Sequence, residues 1–138
     1  MKKFYRLSAI YAIIGIIGGI FYREFTKFNQ FTGTTSLGLV HTHAFMLGLF
    51  FFLIVLLLEK QFKLTKSKKI KPFLLFYNAG LSLTIIMLVV RGITTVLNTS
   101  LSSAMNAAIS GIAGVGHILL GVGLLYFFLI LKEKLGSE

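Results

Sequence analysis

The chain contains no cysteine, a single proline and only four acidic residues, set against fourteen lysines and arginines. Without cysteine there is no disulfide, no thiolate metal site, no iron–sulfur cluster and no covalent C-x-x-C-H haem attachment. Any metal or cofactor must be held by His, Met, carboxylates or the backbone. Charge of either sign is scarce: 13% of the 138 residues are charged and 56% are hydrophobic, with a mean hydropathy of +0.87. That excludes a disordered tail, whose apolar content is far lower. The net charge of +10 suggests a partner such as nucleic acid, but a nucleic-acid binder carries its cations on a polar face. Here long stretches have no charge at all, which is the pattern of an integral membrane protein. Also missing are a nucleophile–base pair of the hydrolase kind, a pair of broken helices and an inverted repeat, the last two being marks of a transporter. Ser and Thr are frequent, but in lipid they mostly bond backbone or neighbouring helices.

Four apolar stretches are present, at about residues 4–22, 37–58, 72–97 and 107–131. Each has at least about 19 residues, enough to cross a hydrocarbon core of roughly 30 Å as a helix. In lipid the backbone must satisfy its own hydrogen bonds, so runs of this length are helices and not strands. The first follows Met1-Lys2-Lys3 in the manner of a signal peptide, but no A-x-A site follows it, and it reads as a retained helix. The expected architecture is all-α: one transmembrane domain, residues 1–138, folded as a four-helix bundle.

The cations set the expected orientation. Lys2, Lys3 and Arg6 precede the first span. Lys60, Lys63, Lys66, Lys68, Lys69 and Lys71 fill the second loop, and Lys132 and Lys134 follow the fourth span. Eleven of the fourteen cations therefore lie on one side, leaving Arg23, Lys27 and Arg91 for the other. The positive-inside bias makes both termini cytoplasmic, in the multi-pass, N-in/C-in arrangement of a bacterial cytoplasmic membrane protein. The lysine loop is a topology signal that also attracts anionic membrane lipid. The polar loop 23–36 and the uncharged loop 98–106 are expected outside.

All three histidines fall within spans: His41 and His43 in the second, His117 in the fourth. Ionisable groups at membrane depth are costly, and their default reading is functional. Counting at 1.5 Å per residue from the inner edge puts His41 at ~27 Å, His117 at ~22 Å and Arg91 at ~27 Å. Three separate helices thus bring rare polar groups to one outer layer. At 100° per residue, His41 shares its face with Ala44, Phe45 and Gly48, and His117 with Ser110, Ala113, Gly114 and Gly121. A histidine in a strip of small residues leaves room for a flat porphyrin against the helix, with the imidazole as axial ligand. His43 points to the other side, among Leu39, Met46, Leu47 and Phe50, and is the alternate ligand: depth favours it, shape favours His41. Arg91 either snorkels to the outer interface or pairs with a haem propionate.

The expected function is therefore binding of b-type haem, for electron transfer with quinol or another membrane redox protein, or for binding a diatomic gas. The expected site is His41, His117, Arg91, Ala44, Gly48, Gly114 and Gly121. One alternative is a histidine-bound copper site made by His41, His43 and His117. Another is a non-enzymatic accessory or assembly subunit whose histidines only bridge helices, since small-residue strips also pack helices without any cofactor.

The segment His41-Thr42-His43-Ala44-Phe45-Met46-Leu47-Gly48 resembles the second helix of the catalytic subunit of haem–copper oxidases. The cbb3-type oxidases and nitric oxide reductases are the closest in pattern, with a His-Thr start and a Gly seven residues on. The resemblance covers about residues 8–52 and implies that His41 ligates a low-spin b-type haem. The opposing ligand of that superfamily lies on a much later helix, so His117 is a candidate on physical grounds alone. Four helices in place of about a dozen leave out the further histidines of a high-spin haem and copper. The whole resembles a small family of bacterial four-helix membrane proteins related to that superfamily. By analogy with its four-helix arcs around a pseudo-threefold axis, a homotrimer is expected.

Overall fold

The computed structural model describes residues 1–136, and the described residues are all-α, with four long helices and no strand. The helices are α1 (Lys2–Phe28), α2 (Leu37–Phe62), α3 (Ile70–Val96) and α4 (Ser103–Leu135), each long and apolar enough to cross a membrane. All but α3 run several residues past their apolar stretches at one or both ends. Flanking polar residues extend a helix readily, because each one added to an existing end gains a backbone hydrogen bond. The loop expected at 23–36 shrinks accordingly, since α1 continues to Phe28. The last helix starts at Ser103, capped by the Ser102 hydroxyl, which accepts from the Met105 amide at 3.2 Å. The one proline, Pro72, lies in the first turn of α3, where its missing N–H costs nothing.

Two antiparallel hairpins make the bundle, and glycine sets the closeness of each. In the first, a Cβ on Gly15 would meet the Phe45 ring at 2.5 Å and one on Gly18 would meet Val40 at 2.8 Å. Gly48 of α2 answers them, with Tyr11 lying directly over it. In the second, Gly80 of α3 abuts the Leu120 amide, and a Cβ on Gly123 would meet the Tyr77 nitrogen at 2.6 Å. Such contacts are the usual means of association in lipid, where no hydrophobic force drives helices together.

The hairpins meet along α2 and α3. Leu37 sits on Gly92, where a Cβ would approach it to 2.5 Å. Toward the end that holds the two termini, Phe51 stacks on Tyr77 at 4.3 Å and meets Phe127 of α4 edge-on at 5.2 Å. At mid-depth, polar groups fasten the interior: the Tyr11 hydroxyl donates to Asn78 Oδ1 at 3.1 Å, and Ser8 donates to the Leu49 oxygen at 3.1 Å.

One departure from regular geometry bears on the site. Immediately after His43 the second helix widens into a π-helical stretch, Ala44–Phe50, before resuming as an α-helix. The Tyr77 hydroxyl, donating to the Leu47 oxygen at 2.8 Å, supplies a partner inside that stretch. Long π segments are uncommon and cluster at functional sites.

Candidate functional site

His41 faces α1. A Cβ on Gly19 would lie 3.7 Å from its Cβ and 3.8 Å from its ring, and Phe45 meets that ring edge-on at 6.4 Å. Its Nδ1 is buried with no hydrogen-bond partner among the described residues. Ala44 and Gly48, expected as a smooth wall for a cofactor, are buried, and Gly48 is occupied by Tyr11. The small-residue strip that carries His41 is thus the seat of a neighbouring helix.

His43 is placed differently. Its Nδ1 lies 2.8 Å from the oxygen of Leu39, four residues back. A carbonyl can only accept, so Nδ1 carries a proton, and in the neutral ring the lone pair is then on Nε2. With Thr42, Met46 and Leu47 the ring lines a shallow depression of about 190 Å³. Leu39, His43 and Leu47 stand four residues apart on one flank of α2. Leu39 lines one depression together with Arg91 of α3, and the Leu47 oxygen accepts from the Tyr77 hydroxyl. His43, midway along the row, is half-buried.

The third histidine is on α4. His117 is exposed, and its Nδ1 lies 2.9 Å from the oxygen of Ala113, again four residues back. Gly116, beside it, is the residue that abuts α3, at Thr84, whereas a Cβ on Gly114 or Gly121 would have nothing within 4 Å. Two turns further out on the same face, Ser110 accepts from Arg91 Nη2 at 2.6 Å, and Asn106 Oδ1 accepts from Nη1 at 2.6 Å. Ser110 and His117 share one flank of α4, and Tyr126, on the opposite flank, stacks on Phe76 at 5.9 Å. Toward the end that holds the termini, Phe51 of α2 and Phe127 of α4 meet edge-on.

Depth can be read against α3. Leu37 is level with Gly92 and Gly116 with Thr84. At 1.5 Å per residue, His41 is ~6 Å, His43 ~9 Å and His117 ~13 Å further in than Gly92. His43 and His117 are therefore within one helical turn of each other. Arg91 lies about two turns from His117, toward the end away from the termini, and not on its level. Its outer depression, about 390 Å³, is lined by Thr34, Thr35, Ser36, Leu39 and Thr95. Arg91 has neutral partners in Asn106 and Ser110 and forms no ion pair among the described residues. No three of His, Cys, Asp or Glu among the described residues stand close enough to share a metal ion.

The interior hydroxyls and amide escape a reading of the sequence by ionisable groups. Tyr77 and Asn78 are neutral, and their roles depend on which helix lies opposite. Asn78 alone gives a signal, being the single side-chain amide in the third apolar stretch before its outer end. Thr84, 1% exposed, keeps an unpartnered Oγ1 against Gly116.

The chain matches, over residues 1–134, the family described as protein of unknown function (DUF2871), and it belongs to that family. No curated protein and no solved structure matches it.

Proposed function

We propose that this chain is a multi-pass membrane protein, with both termini cytoplasmic, that binds b-type haem in a groove between α2 and α4. His43 and His117 would hold its iron. The observation that carries this reading is the shared preparation of the two imidazoles. Each has its Nδ1 proton engaged by a carbonyl four residues back, at 2.8 and 2.9 Å. That fixes the tautomer and ring orientation and leaves Nε2 for a metal, the arrangement that ligating histidines adopt. His41, first by shape in the sequence, lacks such a partner and faces α1. The residues fit the group in other respects. Gly114 and Gly121 leave the α4 wall clear, and Leu39 and Leu47 provide apolar contact opposite. The Arg91 guanidinium, oriented by Asn106 and Ser110, stands at the mouth with donors to spare for a propionate.

Bound there, haem supplies a one-electron couple, suited to exchange with quinol or another membrane redox protein. The chain's part is to hold two neutral imidazoles, exclude water with the Phe51–Phe127 floor and neutralise a carboxylate at the outer end. A weak second ligand would turn the same groove into a binding site for a diatomic gas. Absorption spectroscopy of the purified, dithionite-reduced protein tests the reading. A six-coordinate b-type spectrum is expected, and a haem-replete preparation without a Soret band overturns it.

A further inference from the structure

We propose that the turn joining α2 to α3 is a built site for the phosphate headgroup of an anionic phospholipid, organised by Glu59. This rests on the membrane reading of the four helices and is independent of haem. Glu59 is only 8% exposed although it lies in the last turn of a helix that leads into a lysine-rich loop. It makes no ion pair among the described residues. Instead its Oε2 accepts from the Thr65 amide at 2.8 Å and its Oε1 from the Thr65 hydroxyl at 2.6 Å. Those two bonds tie down a tight turn: Lys63 is left-handed, with φ 51°, and Leu64–Lys66 forms one turn of 3₁₀ helix with Leu64 fully buried beneath it. Ser67, also buried, donates to Glu133 Oε2 at 3.0 Å, and Lys69 donates to the same oxygen at 2.6 Å.

Both described carboxylates at this end are thus occupied, Glu59 by Thr65 and Glu133 by Lys69 and Ser67. Lys60, Lys63, Lys66, Lys68 and Lys71 are all exposed and form no ion pair among the described residues. They stand where the apolar spans end, which is the headgroup layer of a bilayer. A basic loop attracts anionic lipid in any conformation. An ordered turn does more, because it fixes the backbone positions that carry Lys63, Lys66 and Lys68, so less is lost in ordering them around one phosphate than on a loose loop.

The two possibilities differ in sign. Diffuse attraction strengthens when a negative charge is removed, whereas a built site weakens when its organising carboxylate goes. The full chain in neutral detergent is titrated with short-chain phosphatidylglycerol or phosphatidylcholine, and bound lipid is counted by native mass spectrometry. Phosphatidylglycerol is expected to bind at a discrete stoichiometry and phosphatidylcholine is not. Substituting Gln at Lys63, Lys66 and Lys68 together should weaken binding by about tenfold or more. Glu59→Gln should weaken it several-fold despite the more positive charge. Thr65→Val, which leaves the charge unchanged, should weaken it in the same direction, and it carries the test if the Glu59 variant fails to fold. Equal or tighter binding by Glu59→Gln with no effect of Thr65→Val overturns the proposal. So does indifference of the parent chain to headgroup charge, including the case in which the turn instead binds an acidic soluble protein.

Discussion

His43 and His117, on different helices, hold their rings in the same way: each Nδ1 is within 2.9 Å of the carbonyl oxygen four residues before it. His41, two residues from His43, has its Nδ1 buried and without a partner among the described residues. The three histidines therefore divide by backbone hydrogen bonding, and the division follows what stands opposite each ring. His41 has a helix against it. His43 lines a shallow depression and His117 is exposed.

The glycines of α4 divide likewise, and substitution separates them. Gly121→Leu adds a side chain where nothing lies within 4 Å, so thermal stability should change by less than about 0.5 kcal/mol. If the groove holds haem, the same change should cut haem occupancy sharply. Gly116→Leu would drive its side chain into Thr84 and should destabilise the hairpin by about 1–3 kcal/mol or more. Haem content and melting temperature, measured on both variants, check the contrast.

Tyr77→Phe removes the hydroxyl that reaches the Leu47 oxygen at 2.8 Å inside the π-helical stretch. A loss of about 0.5–1.5 kcal/mol is expected from the bond itself. Because Leu47 is one turn from His43, the variant should also broaden or shift the haem bands. Denaturation in detergent and the reduced spectrum read the two effects separately. An unchanged spectrum would show that the π stretch and the site are uncoupled.

Arg91→Gln keeps a side chain able to bond Asn106 or Ser110 but removes the charge at the mouth of the groove. A cation near a haem favours the reduced, less positive iron centre, so the variant's midpoint potential should fall. Redox titration at low and high ionic strength tests this. A potential that does not move would leave Arg91 as a helix-bridging residue alone.

Much of the fold is legible from hydropathy and charge, because apolar runs of this length have one stable form in lipid. The four spans follow from it. The site is legible only in part. His41 and Gly48 do share a face, but whether a strip of small residues seats a cofactor or a helix depends on its neighbour, and Gly15, Gly18 and Gly19 are that neighbour here. Counting from the inner edge puts Arg91 level with the histidines, since it assumes straight, equal spans. The bonds of Arg91 to Ser110 and Asn106, two and three turns from His117, show its height. The widening at Ala44–Phe50 has no counterpart in periodicity, because a uniformly apolar run looks the same at either helical pitch.

The most direct test of the haem reading is the dithionite-reduced absorption spectrum of protein from haem-replete cells, compared across three single substitutions. The parent and His41→Ala should show the same six-coordinate b-type bands, and His43→Ala and His117→Ala should each lose them. A parent without a Soret band, or bands that survive in His43→Ala and vanish in His41→Ala, would contradict the assignment.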